Sequence, residues 1–162
     1  MKFEAIEGSE SREHSISLKD GESIVGLFQG DEFTYRRHWT SDRPVICSDP
    51  CLLCKNGDKP TFRFRMNMVV GFAEEHETMK ILEGGWKLYT QLHEINKEYP
   101  LESNYIKISR KGSKKNDTTY TALPVPIKPS EEFKLKAKAI PLINLNPNIH
   151  KKMNDDFDEV PF

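Results

Sequence analysis

The chain has 162 residues, 24 basic against 25 acidic for a formal net charge of −1, and 36% of it is hydrophobic. A mean hydropathy of −0.65, the lack of any membrane-length apolar run and a polar start, Met1-Lys2-Phe3-Glu4-Ala5-Ile6-Glu7, exclude helical spans and a signal core, so a cytoplasmic protein is expected. The length suits one β-rich domain with solvated extensions.

Residues 1–20 are polar and aperiodic and read as an N-terminal arm. From Ser23 the composition turns β-branched and aromatic. Ile24-Val25-Gly26-Leu27-Phe28-Gln29-Gly30 and Phe33-Thr34-Tyr35-Arg36-Arg37-His38-Trp39 predict a long first strand whose glycines relieve strong curvature, as a small closed barrel needs. After a loop rich in Asp, Pro and Cys, Thr61 to Val70 alternates: Phe62, Phe64, Met66 and Met68 on one face, Arg63, Arg65 and Asn67 on the other. Another strand is expected over Thr78 to Leu82, broken by Gly84-Gly85. A helix follows in which Leu88, Leu92, Ile95 and Tyr99 recur at helical spacing, with Trp86 and Tyr89 on its packing face, until Pro100 ends it.

Two further strands are read over Tyr105 to Arg110 and Thr118 to Leu123, joined by the basic loop Lys111-Gly112-Ser113-Lys114-Lys115-Asn116-Asp117. Pro124, Pro126 and Pro129 mark the exit from a domain spanning 21–125. In the extension and linker, 126–154, Ser130 is a cap for a short helix through Ile140, although Phe133-Lys134-Leu135-Lys136 also alternates like a strand. The order β-β-β-α-β-β in an all-β setting predicts a β-barrel with one helix, the OB-fold.

The three cysteines, Cys47, Cys51 and Cys54, are clustered and odd in number, which argues for a metal rather than a disulfide framework. His38 precedes them at the end of the first strand, and Cys3His is a common closed zinc set. The expectation is a structural Zn2+ held by His38, Cys47, Cys51 and Cys54 in a zinc loop, 38–54, clamping the loop after the first strand. His76, His93 and Asp49 are alternatives to His38 as fourth ligand. A redox Cys-x-x-Cys lacks the surrounding βαβ pattern.

Gripping a single strand without reading its sequence requires cations for phosphates and aromatic faces for bases. Candidates are Tyr35, Arg36, Arg37 and Trp39 on the first strand, Arg63 and Arg65 on the second, and Lys107, Arg110, Lys111, Lys114 and Tyr120 around the basic loop. Tyr35 and Tyr120 are the preferred stackers. Trp39 either stacks a base or covers the cysteine knuckle, and Phe28, Phe62 and Phe64 read as core.

The last eight residues, Asp155-Asp156-Phe157-Asp158-Glu159-Val160-Pro161-Phe162, are too polar to bury themselves and are expected to be disordered. Without their four acids the body holds 24 basic against 21 acidic residues, a mildly basic domain with an acidic tail. A terminal Phe with its carboxylate suits an apolar pocket with a basic rim on a partner.

This ending resembles the tip of bacterial single-stranded DNA-binding proteins, with Val160 where those have Ile. His38 followed by Cys47, Cys51 and Cys54 is similar to the zinc subdomain of T-even phage single-stranded DNA-binding proteins, though the spacings differ. Arg36-Arg37-His38-Trp39, Cys51-x2-Cys54 and Asp117-Thr118-x-Tyr120 also resemble the single-stranded DNA-binding proteins of tailed phages and mobile elements. The resemblance implies a non-enzymatic protein that coats single-stranded DNA. Through residues 155–162 it would recruit replication, recombination and repair proteins, with no membrane or small-molecule substrate. Two other classes compete. One is a zinc-ribbon protein–protein adaptor. The other is a metal-dependent nuclease using the acidic turn Glu74, Glu75 and Glu77, which a closed four-ligand site disfavours.

Overall fold

The computed structural model describes residues 14–41, 43–71 and 77–147. The tail 155–162, His76, Glu74, Glu75 and most of the N-terminal arm lie outside the described residues. The elements in order are β1 (Ser23–Trp39), β2 (Pro44–Ile46), the single turn α1 (Leu52–Lys55), β3 (Thr61–Val70), β4 (Thr78–Gly84), α2 (Trp86–Glu98), β5 (Ile106–Lys111), β6 (Thr119–Pro124) and α3 (Glu131–Ala139). None of the helices among the described residues is long and apolar enough to cross a membrane.

β1 organises the sheet. All pairings between these strands are antiparallel, in the order β4-β3-β1-β5-β6, with β2 also on β1. The strand changes register against β3 between Gln29 and Phe33, where Gly30 takes a φ of +76°. Such a bulge bends the strand and tightens its twist, letting one strand serve β5 with its first half and β2 with its last. Gly26 answers a different need. A Cβ there would lie 2.5 Å from the Val69 carbonyl oxygen, so the close approach of β1 to β3 excludes any side chain.

The closed barrel with one helix that the pattern predicts is not what forms. Among the described residues the fold is mostly β, a six-stranded antiparallel sheet that does not close, accompanied by three helices. β4 pairs with β3 but not with β6, because residues 14–22 run through the gap. Ile16 N donates to the Ile81 carbonyl (2.9 Å) and Ile81 N to the His14 carbonyl (2.6 Å). Those bonds satisfy edge groups of β4 that a closing strand would otherwise use, and the segment sinks Leu18 into the core. Further on, Gly21 N donates to the Arg110 carbonyl and Arg110 N to that of Glu22, which prolongs the pairing of β1 with β5.

Two apolar clusters lie on opposite faces of the sheet. The larger joins Phe28, Phe64, Met66, Met68 and Val70 to Leu88 and Leu92 of α2 and Ile106 and Ile108 of β5. The smaller joins Leu27, Val69, Met79 and Tyr105 to Phe133 and Ala137 of α3. The Ser130 hydroxyl caps α3 by accepting from Phe133 N at 3.1 Å, fixing the helix that delivers Phe133. Asn67, on the expected polar face, is 2% exposed. Its amide donates to the Ile143 carbonyl (3.0 Å) and accepts from Ile143 N (2.9 Å). That two-point clasp pins the chain beyond α3 to the sheet.

Candidate metal centre and cationic face

His38 is the next-to-last residue of β1, opposite Val45 of β2, and is 1% exposed. Cys47 continues from β2 with its N–H donated to the Arg36 carbonyl (2.7 Å), which holds the loop against β1. The turn α1 then returns two more thiols. His38 Nε2 lies 3.4 Å from both Cys51 Sγ and Cys54 Sγ, and Cys47 Sγ lies 3.5 Å from Cys54 Sγ. All four ligand atoms fall within 4.8 Å of one another. The cysteines are free, with sulfurs far beyond the roughly 2.0 Å of a disulfide. This is a set that can hold one metal ion.

The remaining nitrogen of the imidazole is also used. Asp58 Oδ2 lies 2.6 Å from His38 Nδ1, so the carboxylate accepts the Nδ1 proton and leaves the Nε2 lone pair facing the sulfurs. Gly57, at φ +91°, makes the reversal after α1 that brings Asp58 back, and Asp58 N donates to the Leu53 carbonyl. Burial, with the bonds from Cys54 and Cys51, pushes the Cys47 thiol up to about 12. A hydrogen bond from the Cys54 backbone draws Cys51 down to about 6. Of the alternative fourth ligands, His93 stacks on Tyr89 of α2 and Asp49 is not in the group.

The register of β1, β3 and β4 builds a second cluster. Phe33 stands opposite Arg65, Arg65 opposite Glu83, and Tyr35 opposite Arg63, so these side chains share one face. Glu83 Oε2 accepts from Arg63 Nη2 (3.0 Å) and Arg37 Nη1 (3.3 Å); Oε1 accepts from Arg65 Nε (2.5 Å) and the Tyr35 hydroxyl (2.9 Å). Burial pushes the Glu83 carboxyl up, but Arg65 and then Arg63 outweigh it and the net shift is down. Burial followed by the neighbouring Glu83 raises the Tyr35 phenol. Burial and Arg63 lower the Arg37 guanidinium, as expected where cations crowd.

Trp39 ends the same strand, 54% exposed. The Arg37 guanidinium carbon lies 4.9 Å from its ring centroid and Lys115 Nζ 5.6 Å. The loop between β5 and β6 therefore meets the end of β1 across an open indole.

The other candidates are spread more widely. Arg36 stands opposite Phe62 and so projects from the face opposite Arg37, Arg63 and Arg65. Lys107, Lys111 and Lys114 are exposed, Lys107 between Val25 and Leu123. Arg110 is committed to the backbone, donating to the carbonyls of Leu18 (2.6 Å) and Gly112 (3.1 Å). Tyr120 packs partly on the core and lines a cavity with Arg63, Arg65, Glu83 and Arg110. Trp86, read as packing, is 60% exposed and touches Phe62 with its edge, ring centroids 5.2 Å apart. Sequence reasoning did not reach Asp58 or Glu83, because strand pairing and a turn reversal decide what each meets.

Set against family descriptions, curated proteins and solved structures, the chain matches none.

Proposed function

We propose that this is a single-stranded DNA-binding protein that coats unpaired strands without reading their sequence. The observation that carries the reading is the exposed Trp39 ring flanked by Arg37 and Lys115, beside the arginine-rich face of β3. An open aromatic surface with cations on both sides suits stacked bases joined by phosphates. Phe33 and Tyr35, with ring centroids 6.2 Å apart, extend the aromatic character along β1.

The strand connectivity supports an OB-fold whose last pairing is replaced by the N-terminal segment: a long first strand paired with both the second and the fourth long strands, and α2 between β4 and β5. Zinc is the ion the donors suit. A tetrahedron with Zn–S of about 2.3 Å and Zn–N of about 2.0–2.1 Å has edges of about 3.5–3.8 Å. Three of its six edges, His38 Nε2 to the Cys51 and Cys54 sulfurs and Cys47 Sγ to Cys54 Sγ, lie near that length at 3.4–3.5 Å, and all six fall within 4.8 Å. Four protein donors leave no position for a reacting water, so the metal's role is structural. It holds the loop that follows Trp39.

The acidic stretch Asp155–Phe162 is the hook for replication, recombination and repair proteins. Removing it tightens DNA binding modestly and abolishes partner recruitment, and retained recruitment by the truncated chain would refute the hook. The reading as a whole is tested by quenching of Trp39 fluorescence by oligo(dT). A protein–protein adaptor would show none.

A further inference from the structure

Glu83 is an acid where the cationic face would be better without one. It stands among Arg37, Arg63 and Arg65 and is only 23% exposed. A carboxylate so far from water is tolerated because the guanidiniums and the Tyr35 hydroxyl neutralise it. The balance is uneven, however. Three cations face one anion, and each guanidinium has more N–H donors than one carboxylate can satisfy. Arg37 Nε and Arg63 Nε have no acceptor among the described residues.

A backbone phosphate suits the same cup: like the carboxylate it presents two charge-bearing oxygens, and the guanidinium fork matches both groups. Room exists beside it. A cavity of about 380 Å³ is walled by Glu83, Arg63 and Arg65 on one side and by Ser17, Arg110 and Tyr120 on the other.

We propose that Glu83 is a resident counterion standing where a backbone phosphate goes: a phosphodiester entering between Arg37, Arg63 and Arg65 displaces its carboxylate, which withdraws toward the cavity. This rests on the single-strand reading above and adds to it one phosphate site and the residue that limits its affinity. Glu83 holds the three arginines together when no strand is bound, and it is the anion that the strand must outcompete.

The test is a salt series of fluorescence-anisotropy titrations of labelled oligo(dT) with the wild type and Glu83→Gln, which keeps the side-chain length and one carbonyl acceptor. The variant is expected to bind several-fold tighter at low salt. Its log Kd against log salt should keep the wild-type slope, because the same phosphate is neutralised in both complexes. Equal or weaker binding would make Glu83 a spacer for the arginines and overturn the proposal. A second measurement needs neither DNA nor that variant: inorganic pyrophosphate should raise the melting temperature of the wild type, and Arg65→Gln should lose the effect. No stabilisation of the wild type overturns the phosphate site. Stabilisation by pyrophosphate without oligo(dT) binding leaves the site standing and removes the single-strand reading alone.

Discussion

Asp58 Oδ2 lies 2.6 Å from His38 Nδ1, and through that contact a half-exposed carboxylate fixes which nitrogen of a buried imidazole faces three thiols. A carboxylate behind a ligating histidine sets its tautomer and raises its basicity, and losing such a partner typically costs about 10–100-fold in metal affinity. Asp58→Ala is therefore expected to weaken metal binding by that amount while leaving one ion per chain at saturation. Competition with a chromophoric chelator measures it. An unchanged affinity would mean the contact orients nothing.

On the proposed metal reading, removing the ion should destabilise the whole domain, because the loop that carries the three cysteines starts at the end of β1 and returns to β3. Chelation, or the paired change Cys51→Ser and Cys54→Ser, is expected to lower the melting temperature by about 4–8 °C if some two kcal/mol are lost. Metal content should fall from one ion per chain to none. Calorimetry with metal analysis on the same sample reads both.

Glu83 gives the protein an acid limb. Its folded carboxyl lies below the ordinary value, with burial opposing the shift and Arg65 and Arg63 producing it. A depressed carboxyl contributes stability that is complete above the unfolded value of about 4.3 and is lost as pH falls through the folded value. Glu83→Gln should therefore be less stable than wild type at neutral pH, with the gap closing below about pH 4. Urea melts across the acid range check the sign.

Asn67 ties Ile143 to the sheet through two hydrogen bonds. Asn67→Ala leaves the Ile143 N–H and carbonyl without those partners in a half-buried site, at a cost toward the low end of about 1–3 kcal/mol. Residues 141–147 should then lose protection from amide exchange before the strands do. Loss spread evenly over the domain would mean that the clasp is not local.

Much of this architecture was legible in the residues. The alternation from Thr61 to Val70 fixes β3 because period two leaves a single way to bury Phe64, Met66 and Met68. Gly84-Gly85 and Pro100 bracket α2 by chemistry local to the chain. His38, Cys47, Cys51 and Cys54 announce themselves by residue type and spacing alone. What sequence pattern does not carry is pairing between distant segments. That Ile16 would take the edge of β4, and so keep the sheet open, depends on a hydrogen bond to Ile81 that no periodicity encodes. Arg63 and Arg65 look like free cations in isolation. Only the register that sets Arg65 opposite Glu83 reveals that both are already paired to a carboxylate. Arg110 looked equally available, until the fold brought the Leu18 carbonyl to it.

Binding of unpaired polynucleotide is read most directly by one titration: equal lengths of fluorescently labelled oligo(dT) and of labelled duplex DNA, followed by anisotropy at several salt concentrations, with Trp39→Ala as the control for the stacking surface. The expected result is preference for the single strand, affinity that falls steeply with salt, and a loss of about 1–3 kcal/mol in the variant. Preference for duplex, or no binding of either, would contradict it.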